Sequence, residues 1–109
     1  MLKIYVASPY TVGDREENVN RAIEAAEQLI NEGFAPFSPL LTHFHHLRYP
    51  HTWDTWMMLD IEWLSVCDAL LRLPGEGAGA DEEVEFARNN EIHVFYTIEQ
   101  LKEFYYDEA

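Results

Sequence analysis

Two carboxylates stand where helical periodicity calls for apolar side chains. The repeat through Trp53, Trp56, Met57, Ile61 and Leu64 also passes through Asp60, and the repeat through Ala80, Val84 and Ala87 passes through Glu83. Asp81, Glu82, Glu85 and Arg88 fall on the opposite face of the second of these helices, where charge is solvated. An acid on an apolar face costs free energy unless it is paired, hydrogen-bonded or neutralised. Each of the two therefore has a structural reading, as a buried cap or ion pair, and a functional one, as a working group of a site. Glu83 is expected near a helix start, where free amides favour its ionised form, while Trp56 and Met57 beside Asp60 should raise that acid's pKa. One ionised and one protonated carboxyl side by side suit the retaining cleavage of a glycosidic bond, with one attacking the anomeric carbon and the other protonating the leaving group.

Other residues offer weaker chemistry. The glycines from Gly75 to Gly79 could present backbone amides to a phosphate at the start of a helix, or they could simply meet the needs of a tight turn; they match neither the Walker pattern nor the dinucleotide fingerprint. His43, His45, His46 and His51 lack the spacing of a helical zinc motif and no thiolate accompanies them, so they read as surface or base-contacting groups rather than metal ligands. No metal and no cofactor is expected. Trp53, Trp56 and Trp63 read as core, with Trp56 reaching toward the crevice. Cys67, the only cysteine, leaves no intrachain disulfide, reads as a packing residue, and fits a reducing cytoplasm.

The elements that must position these groups alternate. Residues 2 to 7 (LKIYVA) read as a buried strand, followed by the loop SPYTVG. Asp14 and Glu17 form a capping-box-like start to a helix through Val19, Ala22, Ile23, Ala26, Leu29 and Ile30, stopped by Asn31-Glu32-Gly33. A short strand near Phe34 to Pro36 leads into a long loop from Ser38 to Thr52, then a helix from Trp53 to Leu64 and a strand from Asp68 to Leu73. A helix from about Ala80 to Asn89, a strand from Ile92 to Tyr96 and a last helix from about Ile98 to Tyr106 complete the order βαβαβαβα. The tail YYDEA reads as a frayed, solvated end. Such alternation predicts an α/β fold, a flavodoxin-like or Rossmann-like three-layer sandwich with a parallel sheet of four to five strands, the ligand crevice lying at the carboxyl ends of the strands. The 109 residues make one domain, and 48% apolar composition suffices for a core, which excludes disorder as the main state. Seven Lys and Arg against twenty Asp and Glu leave a net charge of −13, a field that repels nucleic-acid backbones and anionic membrane surfaces, and no apolar run is long enough to span a bilayer.

Three segments, KIYVASPY, LDIEWLSVCDALLRLPG and GAGADEEVEFA, stand in order from about Lys3 to Tyr96. With them the chain resembles the nucleoside 2-deoxyribosyltransferase superfamily, which includes the 2'-deoxynucleoside 5'-phosphate N-hydrolases, and most closely a small bacterial and phage branch carrying PLLTHF and CDALLRLPG. The resemblance implies that Glu83 is the nucleophile forming a deoxyribosyl-enzyme intermediate, that Asp60 orients or protonates the departing base, and that Tyr5 lies near the sugar and the catalytic carboxylate. It implies a substrate site that draws on Ser8, Pro9, Tyr10, His43, Trp56, Gly77, Gly79 and Ala80. It further implies assembly as a homodimer or larger, a neighbour closing the site, with FYY near the C-terminus available to such an interface. The 5'-phosphate hydrolases have Ser where this chain has Pro9 and Gly77, which leaves nucleoside and 5'-monophosphate both open as substrates; Ser8, Thr11, Arg15, Arg72 and the amides of Gly79 and Ala80 are candidate replacements. Hydrolysis and base transfer also stay open. The rivals are a glycohydrolase of another nucleotide, such as a ribonucleotide or dinucleotide, a non-catalytic nucleotide-binding module, and a receiver-like domain, the last disfavoured because SPY stands where an acidic cluster would be needed.

Overall fold

The computed structural model describes residues 1–106. Its sheet has four parallel strands, β1 (Lys3–Ala7), β2 (Ala35–Phe37), β3 (Ala69–Arg72) and β4 (His93–Phe95), in the order β2-β1-β3-β4. Around it lie α1 (Arg15–Asn31), α2 (His43–Arg48), α3 (Trp53–Leu64), α4 (Ala78–Asn89) and α5 (Ile98–Tyr106). The α/β class, the parallel sheet and its covering helices follow the expectation from the sequence.

Strand alternation explains how the site is aimed. On β1, Ile4 and Val6 enter one core with Ala25, Leu29, Phe34, Leu71 and Leu101, whereas Tyr5 and Ala7 enter the other with Leu64, Leu70, Ala80, Val84 and Ala87. From Ile4 to Ala7 β1 is buried on both faces and reads as an unbroken apolar run, and the one buried polar tip it carries, the Tyr5 hydroxyl, must find its partner between α3 and α4. The chain leaves β1 toward β2 and returns to β3 on its other side, so the carboxyl ends of β1 and β3 open a crevice at the switch point.

Several local expectations need correction. The stretch from Ser38 to Thr52 is largely helical: Pro39 starts a 3-10 turn to Thr42, whose hydroxyl donates to the Pro39 carbonyl at 2.7 Å, and α2 follows directly. Its inward residues are Leu40 and the buried His43, so the helical repeat is carried partly by imidazoles that do not count as apolar in a sequence. Strand β2 lies one residue later than expected. Asp14 does cap α1, its carboxylate accepting from the amides of Glu16 at 2.9 Å and Glu17 at 3.2 Å. In that helix Ala25 takes the inward place while Ile23 and Ile30 point outward. Tyr105 and Tyr106 are packed rather than frayed: Tyr106 stacks on Phe34 and donates to the Glu32 carbonyl at 2.9 Å, holding the α1–β2 turn. The rest of the tail, from 107 onward, lies outside the described residues. No helix among the described residues is long and apolar enough to cross a membrane.

Candidate active site

Tyr5, wholly buried on β1, donates from Oη to Oε2 of Glu83 at 2.6 Å. Glu83 is 3% exposed, on the inward stripe of α4 with Ala80, Val84 and Ala87. Asp60 comes from α3, one turn after Trp56, and is close enough to Glu83 for the two acids to share a hydrogen-bonded proton. The start of α4 packs on α3 at Gly79, where an added Cβ would stand 3.4 Å from Met57 Sδ, in van der Waals contact.

The electrostatics differ from the sequence expectation in one respect. Burial raises Glu83 to about 8 against the hydrogen bond from Tyr5, with Asp60 adding to the rise and Arg72 opposing it. Burial also raises Asp60, to about 6. Glu83 is thus the more strongly raised acid and not the freely ionised one, because α4 begins at Ala78 and Glu83 falls in its second turn, past the free amides. The two carboxyls form one pair that retains a proton near neutral pH. Burial and the neighbouring acids push the Tyr5 phenol far above its ordinary range, so it serves Glu83 only as a donor.

The pair faces a cavity of about 290 Å³. Ser8, Tyr10, His43, Trp56, Asp60, Gly77, Gly79, Ala80 and Glu83 all line it, while Tyr5 stands behind Glu83. Pro9 does not line it: its ring and Cα pack on Gly75 and Gly77, where an added Cβ would come within 3.0 Å of Pro9 Cγ and Cα respectively. That close packing, with φ of +113° at Gly75, accounts for both glycines as the turn reading requires. Thr11 and Arg15 also reach the cavity, and the Arg15 guanidinium lies over the Tyr10 ring. Arg72 does not. It is buried beneath the Gly-rich loop, donating to the carbonyls of Leu73 and Gly75 and pairing with Asp81 at 2.9 Å, so it braces the loop instead of meeting a ligand. A larger groove, about 820 Å³, runs along Arg72, Arg88 and Tyr96, but its acids, Asp81 and Glu85, are exposed and Asp81 is paired with Arg72.

His46 and His51, which the sequence offers as surface or base-contacting groups, and Trp53 and Met57, which it offers as core, also line the cavity. Recognising α2 as a helix would have placed His43 and His46, three apart, on one face. Trp56 donates from Nε1 to His46 Nδ1 at 2.7 Å, and Tyr10 Oη lies 2.6 Å from His43 Nδ1. Among the described residues no group of three His, Cys, Asp or Glu side chains is placed to hold a metal ion. The Cys67 thiol lies against the Trp63 carbonyl, and burial together with Asp68 pushes it up to about 11, which disfavours a thiolate nucleophile.

A parallel α/β sandwich is the architecture of this chain, and that fold is shared with a solved 2-deoxyribosyltransferase from the psychrotolerant bacterium Bacillus psychrosaccharolyticus. The two superpose with a TM-score of 0.62 at 20% sequence identity, over 84% of this chain and 69% of the other, which establishes the likeness of fold. By sequence the chain belongs to the family described as Domain of unknown function (DUF7768), which matches residues 2–97. No curated protein matches it.

Proposed function

We propose that this protein cleaves the N-glycosidic bond of a 2'-deoxynucleoside or its 5'-monophosphate through a glycosyl-enzyme intermediate on Glu83. The observation that carries the reading is the buried Tyr5–Glu83–Asp60 cluster at a cavity walled by Trp53, Trp56, His46 and His51. Flat aromatic walls suit a heterocyclic base, and two coupled carboxyls suit the chemistry of its anomeric bond. The resemblance in motifs and the fold shared with a 2-deoxyribosyltransferase support the same substrate class.

The steps follow from the pair. Once the pair's single proton has passed from Glu83 to Asp60, the Glu83 carboxylate attacks C1' while the C1'–N bond breaks and Asp60 gives its proton to the departing base. The Tyr5 hydrogen bond favours the ionised Glu83 that this requires, offsetting part of the burial penalty. In the second step Asp60 takes a proton from water, which attacks C1' and frees Glu83; a second base in place of water gives transfer.

We further propose a small-molecule substrate in a cytoplasmic homo-oligomer. From Ser38 to Leu59 the only formally charged residues are Arg48 and Asp54, in a chain of net charge −13, and within that segment Phe44 and Met58 are more than half exposed. Exposed apolar side chains in a segment with little charge are what two like-charged copies need in order to meet.

Release of free base from deoxynucleosides, their 5'-monophosphates and the ribose counterparts, with and without a second base, tests the reading when wild type is compared with Glu83→Gln. Base released by wild type alone, with a deoxyribosyl adduct on the Glu83 peptide in mass spectra, is the expected result. Saturable binding without any release would leave a nucleotide-binding module in its place.

A further inference from the structure

We infer that His46 determines specificity at the base: held by Trp56 as a fixed N–H donor, it selects bases whose edge presents a carbonyl oxygen over those presenting an amino group there. The inference rests on the glycosidase reading. An indole N–H can only donate, and Trp56 Nε1 lies 2.7 Å from His46 Nδ1, so that nitrogen carries its lone pair and the ring proton resides on Nε2. The backbone amide of His51 points at the same Nδ1 from 3.4 Å, a second donor opposed to the other tautomer.

Nδ1 is thereby occupied. Nε2–H is the polar atom of this ring that has no protein partner among the described residues, and His46 is part of the cavity wall that includes Asp60 and Glu83. The indole that holds it is itself held: His45 and His51 stand edge-on to Trp56 at centroid distances of 5.2 and 5.4 Å, and His46 at 5.8 Å. His43, the other inward imidazole of α2, has on its Nδ1 the Tyr10 hydroxyl, which can donate or accept and so does not fix that ring's tautomer. A donor fixed in this way meets a carbonyl oxygen with a hydrogen bond and meets an amino group donor to donor, leaving both unsatisfied. The class of substrate is therefore a 6-oxopurine or 4-oxopyrimidine deoxynucleoside, with or without its phosphate.

The test compares kcat/KM for deoxyinosine against deoxyadenosine and deoxyuridine against deoxycytidine, as nucleosides and as 5'-monophosphates, in wild type, His46→Phe and His46→Gln. Calorimetry with free hypoxanthine and adenine gives a readout that needs no turnover. Wild type is expected to favour the carbonyl member by about tenfold, the worth of one uncharged hydrogen bond. His46→Phe should bring the ratio near one, and His46→Gln, which keeps a donor, should restore part of it. Nitrogen-15 spectra should show wild-type His46 as the Nε2–H tautomer and a loss of that bias in Trp56→Phe. A ratio near one in wild type, a preference for the amino member, a ratio indifferent to His46→Phe, or an Nδ1-protonated His46 each overturns the inference. Hypoxanthine preference that depends on His46 without cleavage of any nucleoside would sink the glycosidase and leave the base site. Cleavage without that dependence would do the reverse.

Discussion

Glu83→Gln should change how stability depends on pH. A carboxyl titrating at about 8 in the folded chain, against an ordinary 4.5, makes the folded state bind a proton that the unfolded state has lost between those values. The associated stability is fully present below pH 4.5 and is lost as pH rises through 8. The gap of about 3.5 pH units, at about 1.4 kcal/mol each, sets a ceiling of about 5 kcal/mol. Glutamine keeps an acceptor for the Tyr5 hydroxyl and carries no charge to bury, so the variant should escape this loss. Thermal unfolding of both proteins from pH 5 to pH 9 should give nearly equal midpoints at the acid end. At pH 9 the variant should melt higher by at least about 5 °C, since each kcal/mol is worth about 4–8 °C in a domain of this size. Asp60 loses its acidic neighbour in the variant and its own titration shifts with it, so the difference at pH 9, where both acids of the wild type are ionised, is read for the pair as a whole. Parallel curves across the range would mean that Glu83 does not hold its proton in the folded state, and the argument for a proton-sharing pair would fail.

Four further outcomes can be checked. Because the working form of the pair holds one proton, kcat/KM against pH should be bell-shaped, rising near 6 and falling near 8; a single sigmoid would refute the shared role. Tyr5→Phe removes a hydrogen bond to a buried charge, worth about 1.5–3 kcal/mol, and should lower kcat/KM by roughly 10- to 100-fold while moving the upper limb to higher pH, as steady-state profiles will show. Asp60→Asn should lose most turnover with poor leaving bases and least with activated ones; equal losses on a leaving-group series would remove Asp60 as the acid. Gly77→Ala would drive a methyl to 3.0 Å from the Pro9 Cα, a backbone atom that cannot swing aside, and should cost about 1–3 kcal/mol in denaturant titration.

The site was legible in the sequence where it violated a pattern. Asp60 and Glu83 interrupt otherwise apolar helical repeats, and the structure brings both to one cavity. The register that sends Tyr5 to Glu83 also follows from alternation on a strand buried on both sides. What stayed hidden was carried by residues whose role depends on neighbours distant in sequence. Helix α2 has no aliphatic repeat, and its inward face is His43. The relative acidities came out reversed because two residues of shift in a helix start move a carboxyl from the free amides to the closed interior. Arg72 looked available for an anion until its loop folded down onto it.

Both outer strands of the sheet, β2 and β4, are three residues long. Such short edges expose only one or two unpaired amides and carbonyls each, too few to template a strand from another chain. The sheet is therefore closed to lateral growth even though its edges are not covered by further strands. Copies of this protein that associate are left to do so through the side chains of helices and loops, and a contact of that kind can form and dissolve without disturbing the backbone ladder that aims Tyr5 at Glu83.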